Sequence, residues 1–526
     1  MHSDSSTRAF VLGLDGVPWG MLRSWIDDGH LPNFKRLADE GASGSLQSTR
    51  PASTPLAWPS IATGVWPDKH GLYDFQRLME DYRREMYTSS DLSRPALWEM
   101  LSPSVVANVP MTYPATDIDG KMVTGMLTPG FNDRFTSPES LSDEIQEEIP
   151  DYVIGMRYAD YHSRKDEFPD AIENLATQRR KLLSKLMTEE DWRLFFFVFT
   201  APDRLQHLVW DEETLLTHYR LLDTVLGDVL RYVEEREANL YVVSDHGFGP
   251  IDQYACANTL LEREGFLVRK QDKKRGALQR FGLTKQRIEE TLGSVNLDID
   301  TVARHLPDRF VDSVADQVPG DHALYDADFS RTEAFVHGSG HVFVNAADRF
   351  DEGIVPRERV SEVKARLMEL FENYTDPETG ERVFEVFDGD DIYDDDERSA
   401  DIVLEGQPGY EVRASLADDV CIDSGHLEAS HRPEGIFFAW GDDIAPGSAV
   451  DGATVVDVAP TLLHALGEPV PEDTDGRVLL EAFEDGSEPA TRDVEYGPYS
   501  EVGRGEAEEE DFSGVEDRLK GLGYME

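Results

Sequence analysis

Cysteine is nearly absent from this chain. Only Cys256 and Cys421 occur in 526 residues, far apart and outside any CxxC pair, which argues against a disulfide framework or a cysteine-based metal site. No apolar run reaches the roughly 18 residues that cross a bilayer. The opening MHSDSSTRAFVLGLDG lacks the charged-then-apolar pattern of a secretory signal. Basic residues are also scarce, 50 Lys and Arg against 104 Asp and Glu, which disfavours nucleic-acid capture through a basic surface. The expectation is a soluble, cytoplasmic protein with neither a membrane nor a nucleic acid as partner. Nothing in the sequence fixes its oligomeric state.

The acidic excess amounts to a net charge of −54, spread along the whole chain rather than gathered in a tail. That much like charge repels itself, and the repulsion is screened near molar salt, where the Debye length falls to about 3 Å. Of the basic residues 12 are Lys and 38 Arg, a bias toward the more weakly hydrated cation. We read this as adaptation to a salt-rich cytoplasm, as in halophilic archaea. With 40% hydrophobic and 10% aromatic residues, the composition is that of a packed globule rather than a disordered chain.

Three short apolar runs read as buried strands: AFVLGL (9–14), LFFFVF (194–199) and LYVVS (240–244). Amphipathic runs at 169–187 and 214–236 separate them, and this alternation predicts an α/β fold with a mostly parallel central sheet flanked by helices. From about 265 the character changes. A basic island, KQDKKRGALQRFG, precedes polar, irregular sequence and an acidic loop, DGDDIYDDDERSAD (388–401), read as solvated surface. The expected organisation is a catalytic core over 1–264 and 401–480, an inserted cap over 265–400, and an acidic C-terminal tail over 481–526. GIFFAW (435–440) reads as a further strand and 455–467 as a helix. In the tail, VEDRLKGLGYME reads as a short amphipathic helix that docks back.

Each of the three strands ends in polar residues: Asp15-Gly16, then Ala201-Pro202-Asp203, then Asp245-His246-Gly247. In parallel sheets ligands bind beyond the carboxyl ends of the strands, so these residues are placed to meet at one crevice. Asp203 and His207 are four apart, on one helical face. An Asp-Gly is often only a turn and a strand-end His only a hydrogen-bonding group, but three carboxylates and two imidazoles at three strand ends are hard to explain as independent turns. Mixed Asp/His coordination suits zinc, or manganese where oxygen ligands dominate. In RPASTPLAWPSIATG, Pro55 fits the first helical position and makes Thr54 the expected N-cap of a helix over 55–63. Capping by itself explains a Thr there. A hydroxyl at a helix N-terminus also faces the positive end of the dipole, a place suited to an anion, and the residues alone leave both roles open.

The ordered set Asp15-Gly16, Thr54 in TPLAWPSIATG, DKHGLYDF (68–75), APDRLQH (201–207), SDHGFG (244–249) and SHRPEGIF (430–437) resembles the alkaline phosphatase superfamily, and within it the type I phosphodiesterase/nucleotide pyrophosphatase branch. The likeness runs over most of 8–480 and is weakest in 265–400; the closing VEDRLKGLGYM also resembles the tail of sulfatase-like members. The resemblance implies a metal-dependent hydrolase of small phosphate esters with two divalent ions, usually zinc. Asp203, His207 and a late histidine would hold one ion. Asp15, Asp245 and His246 would hold the other, with Thr54 contacting it as the nucleophile that becomes phosphothreonine. The late histidine is taken as His431, with His426 as the alternative, and His70 as a structural or pocket residue. No Cys/Ser-x-Pro-x-Arg element surrounds Thr54, which disfavours a formylglycine sulfatase. Ala57 stands where nucleotide pyrophosphatases carry an Asn that helps hold a phosphate oxygen. Phosphomonoesterase, phosphonate hydrolase and phosphoryl-group transferase chemistries on the same site are therefore alternatives to the diesterase.

Overall fold

The computed structural model describes residues 8–270, 326–394, 396–499 and 511–525. The three apolar runs lie side by side at the centre of a ten-stranded sheet. Ala9–Leu14 pairs in parallel with Leu194–Phe199 on one side and with Asn239–Val243 on the other. Every residue of these three strands is buried, as expected where helices cover both faces of a parallel sheet. Outward from Leu194–Phe199 come Ser104–Ala107 and Gly120–Val123, both parallel, and then the antiparallel edge Thr136–Ser137. Beyond Asn239–Val243, the strand Glu434–Trp440 runs antiparallel and joins Ala42–Gln47. The fold is α/β with a mostly parallel central sheet flanked by helices.

The amphipathic runs form the helices Phe168–Leu186 and Glu212–Glu234, which pack against Leu194–Phe199 and Asn239–Val243 respectively. The 455–467 segment begins as a single 3-10 turn and continues as helix Val458–Ala465. Trp58, Phe196 and Trp98 form an edge-to-face stack beneath the sheet, which seats the helix that carries Thr54.

A second hydrophobic core occupies the stretch read as polar and irregular. Ala334–His337, His341–Val344, Ile402–Gly406 and Phe384–Asp388 form an antiparallel four-stranded sheet. The helix Arg357–Asn373 lays Val363, Leu367 and Phe371 on it. Its strands are only four or five residues long, too short to separate from loop by alternation. Ala255, Leu260 and Leu261 before this stretch, and Tyr410 and Val412 after it, belong to the same core. The acidic loop keeps Asp390, Asp391, Asp394 and Glu397 exposed, as expected of solvated surface, and ion pairs hold part of it: Lys364 bridges Asp388 and Asp390, Arg398 holds Asp396 at 2.7 Å, and Arg349 lies 3.4 Å from Asp401. Apart from Lys270, the basic island lies outside the described residues. Among the described residues, no helix is long and apolar enough to cross a membrane.

Candidate metal centre

Asp15 leaves the sheet where its backbone N–H donates to Phe199 O at 3.0 Å. Gly16 then turns the chain at φ +72°, and a Cβ there would come within 3.0 Å of Asp203 Cα. Glycine is thus required both by the left-handed backbone and by the close approach of the next strand end. The Gly16 N–H donates to Asp245 Oδ1 at 3.2 Å, and Gln206 Nε2 donates to Gly16 O at 2.7 Å, so this turn ties all three strand ends together.

Two triads result. Asp15, Asp245 and His246 form the first, and Asp203, His207 and His431 the second. In each, one ligand atom per residue lies within 4.8 Å of the others. In the first, His246 Nε2 is 3.2 Å from Asp245 Oδ2 and 3.7 Å from Asp15 Oδ1. His246 Nδ1 faces Gly247 O at 3.1 Å. A carbonyl only accepts, so Nδ1 carries the hydrogen and Nε2 turns its lone pair into the site. In the second, Asp203 Oδ1 lies 3.5 Å from His207 Nε2 and 3.3 Å from His431 Nε2. His431 Nδ1 donates to Ala52 O at 3.2 Å, which aims its Nε2 inward by the same logic. The triads adjoin, with the His246 and His431 rings 3.9 Å apart.

Thr54 is the first residue of helix Thr54–Thr63, and Ser53 is the N-cap, one place earlier than expected. Neither caps through its side chain. The Thr54 hydroxyl instead sits 3.1 Å from His246 Nε2, completely buried. One turn on, Trp58 Nε1 donates to Asp15 Oδ2 at 3.3 Å, a contact that sequence reasoning missed although the i,i+4 spacing from Thr54 put it on the same face. Ala57 is buried in the hydrophobic core. His426 joins neither triad; its ring stacks on His162 at 3.6 Å. His70 is a buried structural residue between Ser60 Oγ and the Leu72 N–H. Tyr524 was missed altogether. Its hydroxyl donates to Asp203 Oδ2, and although the docking helix that precedes it is legible, the destination of its side chain is not.

Three carboxylates, Asp15, Asp203 and Asp245, are fully buried within this small volume, an arrangement that is costly without cations. Burial, and then the charges of Asp245 and Asp203, push Asp15 well above the ordinary carboxylate range. Burial and the Asp203 charge push Asp245 up to about 7. Asp203 goes the other way: against its burial, His207 and His431 hold it well below that range. Burial, reinforced by His431, keeps His246 neutral to well below the usual imidazole value. Asp15 Oδ1, Asp203 Oδ1 and Asp245 Oδ2 have no hydrogen-bond partner. Carboxylate oxygens converging without donors are what a cation satisfies, and the O/N donor set fits zinc or manganese.

A consequence for stability follows from Asp245. A carboxyl raised to about 7 favours folding below its unfolded value near 4, and that contribution is lost as pH rises through 7. The metal-free protein should therefore melt lower at pH 8 than at pH 5.5, with Asp245→Asn narrowing the difference and the raised Asp15 carboxyl leaving a remainder; a thermal melt series in chelator checks this.

The strand ends of this parallel α/β sheet gather carboxylates, imidazoles and a buried hydroxyl at one centre, and the family to which the chain belongs is one of phosphoric ester hydrolases. The chain belongs to the type I phosphodiesterase / nucleotide pyrophosphatase family, which it matches over residues 9–433. Among solved structures it is similar to human ectonucleotide pyrophosphatase / phosphodiesterase 5, at 13% identity and TM-score 0.49, covering 90% of this chain and 97% of that one. Two murine structures of the same protein match at 14% identity and TM-score 0.47, covering 88% and 95%, one of them an inactive form in complex with AMP. No curated protein matches the chain by sequence.

Proposed function

We propose that the chain hydrolyses small phosphodiesters at a two-metal centre, with Thr54 as nucleophile and a phosphothreonine intermediate. The observation that carries this reading is the buried Thr54 hydroxyl at 3.1 Å from His246 Nε2, flanked by two adjoining triads of ligand atoms. Asp15, Asp245 and His246 would hold one divalent ion and Asp203, His207 and His431 the other. Such ions, zinc by preference, lower the pKa of a bound hydroxyl and neutralise charge on attacking and leaving oxygens.

The chain's own residues supply geometry and a covalent acceptor. Helix Thr54–Thr63 presents Oγ1 at its N-terminus, the positive end of the dipole, and Trp58 on the next turn fixes Asp15. Thr54 Oγ1 attacks phosphorus in line; the P–Oγ bond forms as the bond to the leaving oxygen breaks. Water then attacks phosphorus along the path the leaving group took, the P–Oγ bond breaks, and Thr54 is restored. Two inversions give net retention at phosphorus. His207 and His431 line a cleft together with Tyr524 and with Ser339, Leu404 and Glu411.

A panel of nitrophenyl diester, monoester and sulfate ester tests the reading with zinc or manganese supplied. Turnover of the diester ahead of the monoester, with no sulfate cleavage, is expected. No turnover of either phosphorus ester by the metal-loaded protein would refute it. The buried methyl of Ala57 offers no hydrogen-bond donor, so another group must hold the phosphate oxygen, and a monoester preference would refute the diester assignment. From the charge of −54 we further propose that activity requires high salt. Rates should fall steeply between about 2 M and 0.1 M KCl, where the Debye length grows to about 10 Å; indifference to salt would refute the halophilic assignment.

A further inference from the structure

The two oxygens of Asp203 have different surroundings. Oδ1 faces His207 Nε2 and His431 Nε2 and has no hydrogen-bond donor. Oδ2 accepts from the Tyr524 hydroxyl. Tyr524 comes from far away in sequence and is delivered with care. Helix Ser513–Leu522 buries Val515, Leu519 and Leu522. Arg518 Nη2 donates to Thr128 O at 2.6 Å, His162 Nε2 donates to Gly521 O at 2.7 Å, and Arg413 Nη1 donates to Gly523 O. Gly523 then turns the chain at φ +82°, where a Cβ would sit 2.5 Å from Leu427 Cδ1. The Tyr524 ring ends edge-on to Phe75 at 5.2 Å and to His207 at 5.1 Å.

We propose that Tyr524 is a positioning residue of the metal centre, its phenol pinning Asp203 Oδ2 so that Oδ1 alone is offered to the ion shared with His207 and His431. A carboxylate with both oxygens free rotates and presents either one or both; a neutral donor on one oxygen selects a single ligand geometry without adding charge. Hydrogen-bonded partners behind a ligand tune affinity in this way, and their loss costs about 10- to 100-fold in metal binding or activity.

This inference rests on the proposed two-metal reading, and the experiment separates the two. Full-length wild type and Tyr524→Phe are stripped of metal, melted, and titrated with zinc by calorimetry. Wild type should take up two equivalents. In the variant one of the two binding constants should weaken about 10- to 100-fold while the other stays unchanged, with the metal-free melting point kept and kcat falling more than KM moves. Unchanged binding constants in Tyr524→Phe overturn the proposal, as does faster turnover, which would make the tail a plug. A lowered metal-free melting point with unaltered zinc affinity also overturns it, leaving Tyr524 a packing residue. Failure of wild type to bind zinc or manganese at all would instead refute the metal reading beneath it.

Discussion

Thr54→Ala is expected to lower kcat for the diester by about 10^4-fold or more, the scale seen when a covalent nucleophile is removed from an otherwise intact site. The metal content should stay at the proposed two equivalents, because the six side chains proposed to hold the ions remain and the hydroxyl is no structural cap. The same variant should lose a trapped phosphoprotein: wild type quenched in acid during turnover carries one phosphate on residue 54, read by peptide mass, and Thr54→Ala carries none. Near-wild-type turnover in this variant would remove the nucleophile assignment. Thr54→Ser, which keeps the oxygen, should recover much of the rate.

The second large effect is on metal retention and concerns Asp245. Asparagine at this position keeps an oxygen for the Gly16 N–H but removes the charge, so the chain should fold with one equivalent of metal instead of two. Its stability should then split by condition. In chelator at pH 8 the variant should melt above wild type, since a buried carboxylate crowded by Asp203 is gone. With metal in excess it should melt below, because wild type gains stability from a ligand that binds only the folded state. A crossover of the two melting curves between chelator and excess metal is the diagnostic; parallel curves would mean that Asp245 holds no ion.

Much of this site can be read from residue order. The three central strands are continuous apolar runs because helices bury both faces, and that same burial makes the polar residue ending each run conspicuous. Asp15, Asp203 and Asp245 stand out for this reason, and His207 and His246 follow by spacing. What escapes is whatever depends on tertiary approach. The family resemblance alone favours His431 over His426; the pairing of Ala429–Arg432 with Gly247–Cys256, which sets His431 opposite Phe248, is the tertiary approach that sequence does not show. Thr54 resembles an N-cap until the fold shows its hydroxyl turned toward His246. Tyr524 carries no local mark, since its partner lies 321 residues away. The second unit hides because its strands are too short for their alternation to show.

Strand Gly247–Cys256 gives the site a mechanical character. It starts at the residue after His246, carries His431 as a rung on its antiparallel neighbour, and farther along pairs with Gly409–Arg413, where the second core begins. The antiparallel pairing brings the His431 backbone opposite Phe248, two residues from His246, and the two imidazoles end 3.9 Å apart. The same strand therefore ties His246, the residue before it, and His431, on its neighbour, to the edge of the second core, so a substitution that shifts its register moves the site and that core's border together.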